Sequence, residues 1–284
     1  MSGSSAAVLS ASQEASQDEW PEQPKLGALR ILLGYHELLL GLTFRDIRGR
    51  YKQSVLGIAW ALLQPLAMTV IYTIVFSHIV KVDTGGIPYP IFSYIAMLPW
   101  TFFSGGLTAG TECLVSNFNL ITKVYFPREV IPISAVLGKT VDLGLGILVL
   151  VPLLIFYKIH LTWYALFSLP VLVLQACFLL GLAFVLSSAN LFYRDIRHVM
   201  PLVVQVWMYL SPIIYPLSLV PKRYLGFYML NPMASVMDTF RRTVLQGLPP
   251  QYGYLGLAAV VSLVTLVVGY RLFKKLEPAF AETI

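Results

Sequence analysis

IPISAVLGKTVDLGLGILVLVPLLIFY, residues 131–157, decides the fold. It exceeds the roughly 20 residues that cross a hydrocarbon core at about 1.5 Å rise each. Its only charges, Lys139 and Asp142, stand three apart near one end, so one helix face lets them pair. Five further apolar runs flank it, at 55–80, 91–115, 163–191, 199–219 and 254–272; Ser, Asn and Pro interrupt the 163–191 and 199–219 runs. The whole chain of 284 residues is 57% hydrophobic and 12% charged, with mean hydropathy +0.73. A soluble domain carries roughly twice that share of charge, so a disordered, fibrous or soluble enzymatic protein is excluded. Lipid offers no partners to backbone amides, and no barrel-like alternation is visible, so the runs read as helices. Cys113 and Cys177 lie inside apolar runs without metal or disulfide spacing and read as small buried hydrophobes.

The ends differ from the middle. Residues 1–24 are rich in Ser, Ala, Gln and Glu, lack the pattern of a signal peptide, and read as a disordered tail. Residues 25–52 form a basic amphipathic stretch, with Leu26, Leu29, Leu33, His36, Leu40 and Ile47 at helical spacing and most charges elsewhere around the helix. Such a helix lies among lipid headgroups, its cations near anionic lipid. With six spans in 53–284 and both termini in the cytoplasm, fourteen of the twenty Lys and Arg fall on the inner side. The net charge of +6 therefore reports orientation, not nucleic-acid binding.

Two connections carry more than a turn requires. NFNLITKVYFPREVIP, residues 117–132, mixes Leu120, Val124, Tyr125 and Phe126 with Lys123, Arg128 and Glu129. Leu120, Val124 and Tyr125 fit one face of a short helix ending before Pro127. Either this is a knob for a cytoplasmic partner or a turn resting on headgroups; the segment alone leaves both open. The connection 212–254 is too apolar for a solvated loop and too short and charged for two more spans. After Asn231-Pro232, the residues Met233, Val236, Met237, Phe240 and Val244 recur at helical spacing, with Asp238, Arg241 and Arg242 on the other side. Short re-entrant helices fit, and a gate over a pathway is preferred to a plain cap. Trp60, Trp100 and Trp163 suit interfacial belts. Tyr72, Phe76, Trp207 and Tyr209 lie deeper, as packing residues or as surfaces for sugar rings.

Other features carry less. Glu112 sits near the inner end of its span, and no chain of carboxylates crosses the membrane, which counts against a proton-coupled carrier. Leu137-Gly138-Lys139-Thr140 ends like a phosphate-binding loop, but Ile133 stands where the first Gly is required. Gly106 and Gly110 make a close-packing pattern that implies helix contact only. His36, His78, His160 and His198 are scattered without a partner carboxylate or nucleophile at useful spacing, so neither a catalytic centre nor a cofactor is expected.

Assembled, these features resemble a known family. The run Arg48-Gly49-Arg50-Tyr51-Lys52-Gln53-Ser54-Val55-Leu56-Gly57 leads to Trp60 and Gln64-Pro65. Then come 119–129 (NLITKVYFPRE), Tyr193-Arg194-Asp195, Ser211-Pro212-Ile213-Ile214-Tyr215 and Asn231-Pro232. Over about residues 30–275 the chain resembles the permease subunits of ABC-2 type exporters for O-antigen, capsule and teichoic acid polysaccharides. The resemblance implies an all-α homodimer of six-span subunits in the inner membrane of a bacterium, with two copies of a separate ABC ATPase and a lipid-linked glycan as substrate. It also implies a coupling helix at 117–130, including Phe118, Leu120, Lys123, Val124, Tyr125, Phe126 and Arg128. Gate helices would span 212–246, with Tyr224, Asn231, Asp238, Phe240, Arg241 and Arg242. Tyr72, Phe76, Trp207, Tyr209 and Tyr215 would line the glycan path. The alternatives are an exporter of another substrate such as teichoic acid, glycolipid or drug, a transporter without an ATPase, and an embedded glycan-modifying enzyme.

Overall fold

The computed structural model describes residues 34–52 and 56–280. The expected tail at 1–24, the start of the amphipathic stretch and the junction at 53–55 lie outside the described residues. Contacts divide the chain into Met1–His36, of which 34–36 are described, and Glu37–Ile284, which carries the architecture below.

The described residues are helical and contain no strand. In order they are α1 (His36–Tyr51), α2 (Ala59–Tyr72, continued by a π-helical stretch Thr73–Ile79), α3 (Tyr89–Ser116), α4 (Phe118–Lys123), α5 (Val130–Phe156), α6 (Ser168–Phe192), α7 (Ile196–Tyr209), α8 (Pro232–Phe240) and α9 (Tyr252–Leu276). Short 3-10 and π turns lead into α6 and follow α8 and α9, and two 3-10 turns and one α-helical turn, Leu225–Tyr228, link α7 to α8. Among the described residues, four stretches are long and apolar enough to cross a membrane: Ala59–Ile79, Val130–Phe156, Trp163–Phe192 and Tyr252–Phe280.

The two other expected spans differ for separate physical reasons. α3 is long enough, but Pro, Tyr, Trp, Thr and Gly dilute its apolar character. It can afford them because it is wedged between α5 and α6, with Tyr94, Ile95, Phe103 and Leu107 wholly buried. The expected run at 199–219 is helical only to Tyr209, because Pro212 lacks the N–H that would continue the ladder. Its 14 residues span about 21 Å, short of the ~30 Å core.

Lipid tails are as apolar as Leu, so close packing rather than solvent exclusion must hold such a bundle. Gly106 and Gly110 of α3 face Leu179 and Ala183 of α6, and a Cβ at either would stand 2.5 or 2.7 Å from those side chains. α6 and α9 approach more closely still, backbone to backbone at Gly181 and Gly269. Polar groups inside find partners across helices. Tyr94 donates to the Gly146 carbonyl at 2.9 Å, Gln175 to that of Pro99 at 2.5 Å, and Asn190 to that of Thr111 at 3.1 Å. Trp100 is buried against Phe103, not placed in a belt, whereas Trp60 and Trp163 are exposed as belt residues would be.

Candidate functional site

The connection after α3 forms a projection. Asn117 precedes α4, its side chain donating to the Cys113 carbonyl at 2.9 Å and accepting from Arg45 of α1. α4 ends at Lys123, and Val124 is extended, so Val124 and Tyr125 stand beyond the helix instead of on its face. Lys123, Val124 and Tyr125 are exposed, and Phe118 and Leu120 are half-buried. Phe126 is buried with Ile121, Leu42, Phe273 and Phe280, so the expectation that it belongs to the exposed surface is corrected. The chain bends at Val124 and again at Phe126, and Phe126 and Pro127 are both buried. Arg128 is also drawn off the projection, donating to the Glu277 carbonyl at 2.7 Å.

Two ionic clusters frame this end of the bundle. Asp142 accepts from Arg50 at 2.7 Å and from the Tyr51 hydroxyl, and lies 3.4 Å from Lys139. The Lys139–Asp142 pair is thus present, but it is part of a larger clamp that fastens α1 to α5. Gly138, the decoy glycine, lends its carbonyl to Arg50 at 2.7 Å. Burial, reinforced by the Asp142 carboxylate, pushes Tyr51 up to about 12. The face of α1 turned to protein carries Leu42, Thr43, Asp46 and Arg50, while Leu40 and Phe44 are exposed. In the second cluster Lys274 of α9 bridges Glu129 at 2.7 Å and Glu277 at 2.9 Å.

At the opposite end, the connection between α7 and α9 folds onto the bundle around Arg241. This guanidinium donates to the carbonyls of Pro212, Ile213, Tyr215 (3.1 Å) and Phe92 (3.3 Å) and lies 3.7 Å from the centroid of the Phe92 ring. Tyr89 takes the remaining carbonyl of the turn, Ile214, at 2.7 Å. Irregular backbone at membrane depth is tolerated where protein satisfies it, and Arg241 with Tyr89 does so for four consecutive carbonyls. Arg241 therefore faces inward, contrary to its expected place on the polar side of α8. Arg242 points elsewhere, half-buried, and donates to the Pro249 carbonyl at 3.2 Å. Asp238 is half-buried and Phe240 is buried in the core.

Asn231 caps α8, accepting from the Met233 amide at 3.1 Å, and also accepts from the Trp207 indole at 3.1 Å. Its amide donates to Ser211 at 3.0 Å, which pins the break after α7 to the start of α8. Trp207 packs edge-on against Phe103 and Phe178, at 5.0 and 5.9 Å between centroids. Tyr72, Phe76, Tyr89 and Phe92 make a second aromatic row, with neighbouring centroids 5.8–6.3 Å apart. The structure thus places Trp207 and the Tyr72–Phe76 pair in separate groups. Tyr215 bonds the Tyr209 carbonyl at 2.8 Å and the Tyr228 hydroxyl at 3.0 Å. Between α7 and this connection lies an almost wholly apolar cleft of about 920 Å³, lined by Val206, Trp207, Tyr224, Tyr228, Asn231 and Val261 among others. Among the described residues no cluster of His, Cys, Asp and Glu is arranged to hold a metal.

Residues 37–245, from α1 through the Arg241 turn, match the family described as ABC-2 type transporter. The chain belongs to that family. Similar proteins include the O-antigen export system permease protein RfbA of Klebsiella pneumoniae, 30% identical over 256 residues, covering 89% of this chain and 97% of that protein. The protein of the same name from Myxococcus xanthus is 30% identical over 258 residues, covering 90% and 98%. The polysialic acid transport protein KpsM of Escherichia coli is 24% identical over 252 residues, covering 84% and 93%.

Within this ABC-2 type chain the structure adds residues that sequence reasoning passed over. Phe92 reads only as a member of the 91–115 run and Tyr89 lies just before it, and nothing in local spacing pairs them with a cation some 150 positions away. Glu129 was read as part of the projection, but it is buried beside Lys274. A lone carboxylate between two hydrophobic stretches is the signal that could have found it, since such a charge needs a partner.

Proposed function

We propose that this chain is the membrane-spanning permease subunit of an ATP-driven exporter that moves a lipid-linked polysaccharide outward across the cytoplasmic membrane of a bacterium. The observation that carries the reading is that relatives named for O-antigen export and polysialic acid transport align with the chain almost end to end. In this reading α2, α3, α5, α6, α7 and α9 are the six spans, and α7 is completed by the turn that Arg241 satisfies. Both termini and the projection lie on the cytoplasmic side, where most of the Lys and Arg collect. The chain lacks a nucleotide-binding loop, so hydrolysis falls to a separate ATPase, two copies serving a homodimer of this subunit. The connection from 212 to 246 serves as the gate, and the aromatic residues near it line the glycan path. Aromatic faces suit sugar rings because they are apolar enough to stack C–H bonds without gripping a charge.

Lys123, Val124 and Tyr125, with the half-buried Leu120, form the surface that docks into the ATPase. Val124→Asp combined with Tyr125→Asp is expected to abolish co-purification of the ATPase while leaving the amount of permease in the membrane unchanged. Retained co-purification would refute the docking assignment. Phe126 is left intact in this test because an Asp there would destroy the core beneath the projection instead of its surface.

A further inference from the structure

α9 touches both ends of the mechanism. In its last turn, Lys274 donates to Glu129 at 2.7 Å and to Glu277 at 2.9 Å; Glu129, only 1% exposed, immediately precedes α5 and follows the projection. Arg128 strengthens the junction through the Glu277 carbonyl at 2.7 Å and lies 6.0 Å from the centroid of the Phe280 ring. Phe126 and Ile121 share one core cluster with Phe273 and Phe280. At the far end of α9, the Tyr254 carbonyl accepts from Ser235 of α8 at 3.2 Å, and α8 and α9 pack directly. Between these ends α9 crosses α6 in backbone contact. A Cβ on Gly181 would stand 2.5 Å from the Thr265 carbonyl, and one on Gly269 would stand 2.2 Å from the Gly181 carbonyl.

α9 is thus joined to the projection at one end and to α8 at the other, and it packs along α6 between them. We propose that α9, moving as a rigid rod along α6, carries displacement of the 118–125 projection to the α8 gate, with Glu129, Lys274 and Glu277 as the positioning residues that fix its inner end. The proposal rests on the exporter reading and adds a route that neither α3 nor α5 supplies, since those helices join the projection through the chain itself.

The test uses the full complex of this subunit with its ATPase in the host membrane. Lys274→Met is combined with Glu129→Gln and Glu277→Gln, which removes the ionic junction without leaving a lone buried charge. The membrane level, ATPase co-purification and ATP hydrolysis are expected to stay within about twofold of wild type, with glycan exported per ATP falling at least tenfold. Lys274→Arg, which keeps the bridge, is expected to retain export. Wild-type export per ATP in the triple variant would overturn the proposal. So would a loss of export that merely follows a loss of protein, because that is what a structural brace would give. Failure of the exporter reading would show separately, in a wild-type chain that brings down no ATPase.

Discussion

Gly269→Ala is expected to destabilise the folded subunit strongly and to lower its thermal midpoint, although the change adds a single methyl group. Its Cβ would lie 2.2 Å from the Gly181 carbonyl oxygen and 2.9 Å from the carbonyl carbon, and both atoms are backbone. No side chain can rotate away, so α6 and α9 must separate by about 1 Å along the crossing. A gap of that size forfeits a quarter to a half of the dispersion attraction of each contact it opens. In lipid no hydrophobic driving force compensates, because a tail replaces the lost neighbour at equal apolarity. α6 with α9 is also the most extensively packed helix pair, so the loss is multiplied along both helices. Overpacking in a soluble core costs about 1–3 kcal/mol; at a backbone-to-backbone crossing the upper end of that range is expected. Size-exclusion profiles and thermal midpoints in detergent give the measurement. Gly144→Ala, where nothing stands within 4 Å of the new Cβ, is the control and is expected to match wild type. A Gly269→Ala protein with the wild-type midpoint would refute the crossing.

The membrane class and the helical character were legible because they depend on composition and run length, which no tertiary contact can undo. The expected 131–157 span emerged as Val130–Phe156, since both ends are marked by changes in apolarity. The 199–219 run misled because Ile213, Ile214 and Leu217 continue the apolar pattern past Pro212, and hydropathy does not register a missing amide. The start of α8 was legible from Asn231-Pro232, whose side chain and ring chemistry act locally. The projection was legible as a segment but not residue by residue. Which of Val124, Tyr125 and Phe126 turns inward depends on where α4 ends and on the bends at Val124 and Phe126, and helical spacing assigned Val124 and Tyr125 to a helix that stops at Lys123. Long-range polar partners were the least legible. Asp142 was paired correctly with Lys139 three residues away, yet its shorter bond is to Arg50, ninety-two positions distant, and periodicity says nothing about that. Arg241 was misplaced for the same reason. A cation on an amphipathic pattern goes to the polar side by default, and only the folded turn reveals a set of carbonyls that require it inside.

Arg241→Ala is accordingly expected to remove the subunit from the membrane, with Arg242→Ala nearly neutral in amount. Arg241 is 4% exposed and holds the Pro212, Ile213 and Tyr215 carbonyls of a turn that has left helical geometry. Truncation strands these acceptors where neither water nor lipid can serve them, at about 1–3 kcal/mol for each buried group left unpaired. The stacked contact with Phe92 is lost as well, about 2 kcal/mol for a desolvated cation over an aromatic face. The sum exceeds ~5 kcal/mol, the lower bound of typical domain stability, so partial function is not expected to survive. Arg241→Lys keeps the charge, but a single ammonium cannot reproduce the fork that serves several carbonyls, and an intermediate amount is expected. Arg242 donates one bond, to Pro249, from a half-buried position, so its loss is expected to cost about 1 kcal/mol or less. The decisive comparison is membrane abundance of the three variants against export per molecule. If Arg241→Ala accumulated normally and lost only export, Arg241 would belong to the working gate and not to the scaffold that holds the turn.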